Sequence, residues 1–204
     1  MPPTNKPIIK SPFVVNQRVL SGKLCEELVS ASMDNYGEMF SEPVHNPVVD
    51  SLVSSKITPN IEHHFGVKMA KVEITIESRG TQSSSPHICD SAVFSNGKWY
   101  RNQDIDFVTV VFLKDHLESV DEPIDDSFEV YGGKLEFPTF NFGFLPERGT
   151  AVTFPAVPNF LNTIAKVKIG QLDMLRIFYR SDTMFIYEPS QYSGSPDKWF
   201  ADLI

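Results

Sequence analysis

The chain has 204 residues, 41% of them hydrophobic and 22% charged, with a formal charge of −8. That length suits one domain with a full hydrophobic core, and the acidic balance argues against a nucleic-acid partner, whose backbone is gripped by Lys and Arg. Two cysteines, Cys25 and Cys89, make no disulfide framework, no run approaches the roughly 20 apolar residues of a membrane span, and Met1–Pro7 lacks the apolar stretch of a secretory signal, so no membrane partner and a cytoplasmic or intracellular location are expected.

Residues 1–12 hold four prolines and read as an extended lead-in. Phe13–Val15 is a short strand candidate. Ser21 can cap free backbone amides and open a helix, because Leu24, Cys25, Leu28 and Val29 then share one face, and Gly37 can stop it. Val49, Leu52, Val53, Lys56 and Ile57 have the spacing of a second helix. Thr58-Pro59 looks like a fresh N-cap and first helical position, leading to His64-Phe65 and a stop at Gly66. The period then changes to two. Ala70, Val72, Ile74 and Ile76 alternate with Lys71, Glu73 and Thr75, the pattern of a half-buried strand. Further strands are expected over Phe107–Leu113, Lys134–Phe137 after Gly132-Gly133, Thr150–Phe154 after Gly149, and Ala165–Ile169 and Leu172–Tyr179 around Gly170. The sixteen Phe and fifteen Pro agree with strands and defined turns. The expected fold class is α+β, an arrangement that a jelly roll (double-stranded β-helix) with N-terminal helices packed outside satisfies. Residues 13–180 would form the jelly-roll domain. Residues 181–204, with Phe185, Tyr187, Tyr192, Trp199 and Phe200, would form an aromatic C-terminal tail that packs back or docks a partner.

The ordered segments Pro12–Val15, Leu20–Leu28, Pro86-His-Ile-Cys-Asp-Ser91, Asp106–Lys114, Tyr131-Gly-Gly-Lys-Leu-Glu-Phe-Pro138 and Gly149–Pro155 resemble the prolyl 4-hydroxylase-like branch of the 2-oxoglutarate- and Fe(II)-dependent oxygenases. The resemblance implies a facial triad of two His and one carboxylate around Fe(II), with a basic residue gripping 2-oxoglutarate. His87 fits the first ligand. Cys89 stands in the register of the acid, and Asp90 follows one residue later, where only a local bulge would return it to the same face. A thiolate from Cys89 would favour a different metal or chemistry. The frame of the second His is filled by Asn162, Ile164, Val167 and Gly170, so Asn162 replaces the histidine, and no His follows His116. The basic anchor position holds Leu172. Arg176, four residues on and on the same strand face, lies about 13 Å further along, where it can pair with an acid in the barrel; Lys166 and Lys168 sit on the connecting segment.

Two principal readings follow. In the first, the chain is a degenerate oxygenase-like jelly roll, a pseudoenzyme. It needs no cofactor and serves as a binding or structural module with a protein partner or larger assembly, for example a viral particle. In the second, it is an active divergent oxygenase with Fe(II) on His87, Asp90 and Asn162, and with Arg176 and Tyr131 toward 2-oxoglutarate. A third reading places Trp99, Tyr100 and Tyr131 at the barrel mouth, stacking on a sugar or small ligand. Adjacent His63-His64 point in different directions and make no metal pair. The acidic loop Asp121–Asp126 lacks the spacing and glycine of a calcium loop.

Overall fold

The computed structural model describes residues 11–32, 40–117, 119 and 128–182. The Gly37 stop, the Asp121–Asp126 loop, the tail beyond Asp182 and all of the lead-in but Ser11 and Pro12 lie outside them. The chain begins with β1 (Val14–Asn16), α1 (Gly22–Ser32), β2 (Phe40–Pro43) and a helical stretch of α2 (Pro47–Leu52), a π turn (Val53–Ile57) and α3 (Thr58–Phe65). Strands follow: β3 (Met69–Arg79), β4 (Ala92–Ser95), β5 (Lys98–Arg101), β6 (Phe107–Phe112), β7 (Asp115–Leu117) and β8 (Glu129–Gly132). The rest are β9 (Leu135–Phe137), β10 (Phe142–Phe144), β11 (Ala151–Pro155), β12 (Thr163–Ile164), β13 (Val167–Ile169) and β14 (Leu172–Ser181).

The large sheet has six antiparallel strands in the order β1-β11-β6-β14-β3-β2. Two three-stranded sheets, β10-β9-β12 and β13-β8-β7, complete a double-stranded β-helix. Side-chain alternation divides the core in two. Val108, Val110, Phe112, Val152, Phe154, Leu172 and Met174 point between the sheets. There they join Val130, Leu135, Phe137, Ile164 and Val167 from the smaller sheets. The opposite face of the large sheet, with Ile74, Ile76, Val111, Leu175, Ile177 and Tyr179, packs on Leu24, Cys25, Leu28, Val49, Val53, Ile57 and Ile61 of the helices. Each such apolar side chain contributes roughly 1.5–3 kcal/mol when fully buried. This second layer is why the helices sit outside the barrel.

Two local expectations change. The second helix starts at Pro47, where Asn46 accepts from the backbone N–H groups of Val48 and Val49. It does not break at Thr58, whose φ of −53° and ψ of −47° are helical and whose N–H donates to the Val53 carbonyl, one residue beyond the α-helical partner. Pro59 has no N–H and crowds the preceding turn, and the widened π turn absorbs that crowding without ending the helix. In β3, Val72 is the extra residue of a bulge: Phe178 pairs with Glu73 and Tyr179 with Lys71. Val72 is therefore 55% exposed rather than half-buried, and Ala70 is exposed too. The β4–β5 hairpin was not foreseen, although Asn96-Gly97 carries its signal, with φ of 50° and 77° at the turn.

Burial in the helix–sheet layer gives the fold an alkaline limit. Desolvation pushes the Cys25 thiol from an ordinary 9.0 up to about 11 and the Tyr179 phenol from 10.0 up to about 12. Both folded values lie above the unfolded ones, so the folded chain keeps protons that the unfolded chain releases. Stability from this source is intact below pH 9 and is lost as pH rises through 11 to 12. Thermal melts from pH 7 upward should fall across that window, and Cys25→Ala should flatten the first part of the fall.

Candidate functional site

The inward face of β14 carries Leu172, Met174, Arg176 and Phe178, paired with Arg79, Glu77, Thr75 and Glu73 of β3. The polar members of this face lie under the segment that carries the expected metal motif. Ile88 and Asn162 exchange both backbone hydrogen bonds, at 2.9 and 3.0 Å, and so form a true antiparallel pair across the barrel wall. Asp90 follows Ile88 by two residues and turns toward the Asn162 side chain, while His87, out of phase with both, is exposed.

Asp90 is the hub. Arg176 donates to its Oδ1, and Asn162 Nδ2 lies 3.2 Å from its Oδ2. The same Nδ2 faces the Ile88 and Phe160 carbonyl oxygens, both at 3.4 Å. Three surrounding acceptors settle which end of the amide points inward: nitrogen must face them. On its other side Arg176 Nε lies 3.6 Å from Glu77, and Arg79 reaches Glu77 at 3.3 Å. Burial opposes the Arg79 charge and lowers its pKa; Glu77 raises it and nearby Arg176 lowers it further. Side-chain exposure is 2% for Arg176, 7% for Asp90, 9% for Arg79 and 14% for Glu77, and Asn162 is 1% exposed. The group has two guanidinium groups and two carboxylates, which cancel each other's charge. That balance permits burial, since an unpaired charge here would cost several kcal/mol.

The side chains present do not fit Fe(II). Asp90 gives one oxygen to a cation and the other to an amide, so neither oxygen is without a protein partner. Asn162 offers its nitrogen, a donor that cannot bind a metal, and no carbonyl oxygen. Burial pushes Cys89 up to about 11, so it is a neutral thiol near pH 7; its Sγ lies 3.7 Å from the Ala156 carbonyl. Among the described residues no group of three or more His, Cys, Asp and Glu could hold a metal ion. The arrangement buries a balanced set of charges beneath the Ile88–Asn162 pair.

Comparison with solved structures agrees with this architecture. A viral collagen prolyl hydroxylase from Paramecium Bursaria Chlorella virus-1, in its 2-oxoglutarate complex, superposes with a TM-score of 0.66 at 16% identity, covering 85% of this chain and 97% of that one. A Pseudomonas putida prolyl-4-hydroxylase gives 0.58 at 14% identity over 84% and 94% of the two chains. A Trichoplax adhaerens prolyl hydroxylase, in complex with a hypoxia inducible factor peptide fragment, gives 0.59 at 11% identity over 84% of each. The chain has the prolyl 4-hydroxylase-like oxygenase fold. At these identities the likeness is one of fold. No family profile matches the chain, and no curated protein matches it.

Within that fold the expected site residues separate. Asp90, Asn162 and Arg176 come together, and the 13 Å offset of Arg176 from the anchor position is what brings it to Asp90. Leu172 is buried in the core. His87 stays at the surface, and Tyr131 lies on the outward face of β8, hydrogen-bonded by Lys168 at 3.3 Å. The three aromatics of the sugar-binding reading do not form one platform. Trp99 is 3% exposed and stacks on Phe94 at 5.3 Å, and Tyr100 is 48% exposed. Glu77 and Arg79 were missed. Their only trace in the sequence was the even spacing that puts them on the inward face with Thr75. Among the described residues no helix is long and apolar enough to cross a membrane.

Proposed function

We propose that the chain is a non-catalytic jelly roll of the 2-oxoglutarate oxygenase type, a binding or structural module that works through a protein partner or larger assembly. The supporting observation is the buried Arg176–Asp90–Asn162 arrangement, in which a guanidinium and an amide each engage one oxygen of the carboxylate. No cofactor is required by this reading. A second reading, an active divergent oxygenase with His87, Asp90 and Asn162 on Fe(II), draws on the likeness to prolyl hydroxylases. It requires Asp90 to share its carboxylate between Arg176 and the metal, Asn162 to turn its amide over and His87 to swing inward.

Protein purified from iron-supplemented medium, then incubated anaerobically with Fe(II) and 2-oxoglutarate, separates the two. The module reading expects trace iron and no 2-oxoglutarate-dependent succinate on admission of air. Stoichiometric iron that disappears in His87→Ala, together with succinate formation, would overturn it. Size-exclusion chromatography tests the assembly half: a monomer that co-purifies with nothing counts against it.

A further inference from the structure

The outward face of the smaller sheet carries a second feature, separate from the Asp90 site. On β8 and β13 the inward Val130 and Val167 alternate with outward Tyr131 and Lys168, and Lys134 and Lys166 stand just before β9 and β13. Tyr131 and the three lysines, with Leu117, Leu145 and Ala165, line a cavity of about 440 Å³. Its floor is the bare backbone of Gly132 and Gly133, with φ of +88° and +70°. At Gly132 a side chain is impossible, since a Cβ would come within 2.4 Å of the Lys166 carbonyl oxygen. The two glycines thus add backbone to the lining, and Leu117, Leu145 and Ala165 add apolar wall.

Among the described residues that line this cavity three are lysines and none is acidic, in a chain whose net charge is −8. Lys168 is held in place: its ammonium sits 4.6 Å from the Tyr131 ring centroid and 3.3 Å from the phenol oxygen, a cation–π contact and a hydrogen bond together. Lys134 reaches Glu136 only at 3.8 Å. We propose that this cavity binds a small organic monoanion with an apolar body, an aryl or medium-chain alkyl carboxylate. The carboxylate meets Lys166 and Lys168, and the body lies on Leu117, Leu145 and Ala165. The volume is in the range of small-molecule sites, and an apolar wall with a few convergent polar groups is their usual chemistry. The charge-assisted hydrogen bonds that two ammonium groups give a carboxylate, and cannot give a neutral alcohol in equal strength, provide the selectivity for charge.

The probe is 2-naphthoate, titrated calorimetrically against the full chain at low salt, with 2-naphthylmethanol as its neutral counterpart. Naphthoate should bind at one site per chain and the alcohol about tenfold or more weakly. The Lys166→Gln/Lys168→Gln variant should lose the difference between them, while Lys23→Gln/Lys98→Gln, elsewhere on the surface, should keep it. Unchanged melting temperatures in both variants exclude a folding effect, as the substituted side chains are exposed. Absence of naphthoate binding, equal binding of the alcohol, or undiminished binding by the Lys166/Lys168 variant would each overturn the proposal. The iron and succinate assays do not bear on it, so the two readings fail independently.

Discussion

Arg176→Ala is expected to destabilise the fold by about 3–5 kcal/mol, the cost of stranding a buried charge whose partner has been removed. Arg176 is among the largest fully buried side chains in the molecule. Its removal leaves Asp90 with only an amide contact, and it takes from Glu77 one of its two arginines. The cavity left behind adds to the loss. If the ion pair is a matched unit, Arg176→Met with Asp90→Asn should recover most of the stability, because an apolar side chain of similar length replaces the guanidinium and a neutral amide replaces the carboxylate. Urea denaturation of the wild type, Arg176→Met, Asp90→Asn and the double variant measures the coupling. A single-variant cost below about 1 kcal/mol, the range of exposed pairs, would mean that Arg176 is solvated and that Asp90 remains available to other ligands.

The second large effect is expected at the Lys114–Asp173 pair. The two side chains are 1% and 0% exposed and 3.0 Å apart. Ser78 donates to Asp173 Oδ1, as does Gln171 Nε2 at 2.9 Å, so the second carboxylate oxygen is left for Lys114. Asp173→Ala removes the acceptor of three donors and should cost about 3–5 kcal/mol. Arg18→Ala, which breaks the 3.0 Å pair with Glu147 at 78% and 68% side-chain exposure, should cost no more than about 1 kcal/mol. The same urea experiment compares them. Similar costs for the two would show that burial does not set the value of ion pairs in this molecule.

Both effects depend on polar groups that face the interior, and the sequence indicated these unevenly. Asp90, Asn162 and Arg176 could be singled out because they depart from an ordered oxygenase-like pattern around His87. That pattern predicted the missing second histidine and the displaced base. It allowed Arg176 to pair with an acid in the barrel, and it did not tell that this acid would be Asp90. Glu77 and Arg79 could be placed on a strand face by alternation. Period alone tells which side a residue faces; it does not tell how deep it lies. The Val72 bulge and the continuous helix through Thr58-Pro59 escaped for a related reason. Each is a one-residue change in backbone pairing that packing against neighbouring elements stabilises, and local propensity does not contain it.

By itself, the sequence determined the alternation of its strands, the α+β arrangement and the absence of any His after His116, since these follow from periodicity and residue identity along the chain; the jelly roll was what the oxygenase-like pattern implied. The tertiary structure decided which polar residues meet. Only the antiparallel pairing of Ile88 with Asn162 and the register of β14 against β3 bring Asp90, Asn162 and Arg176 within contact. It also decided where the lysines lie. Tyr131 and Lys168 are 37 positions apart, and they share a cavity because β8 and β13 are neighbours in one sheet, a contact that chain separation gives no means of reading.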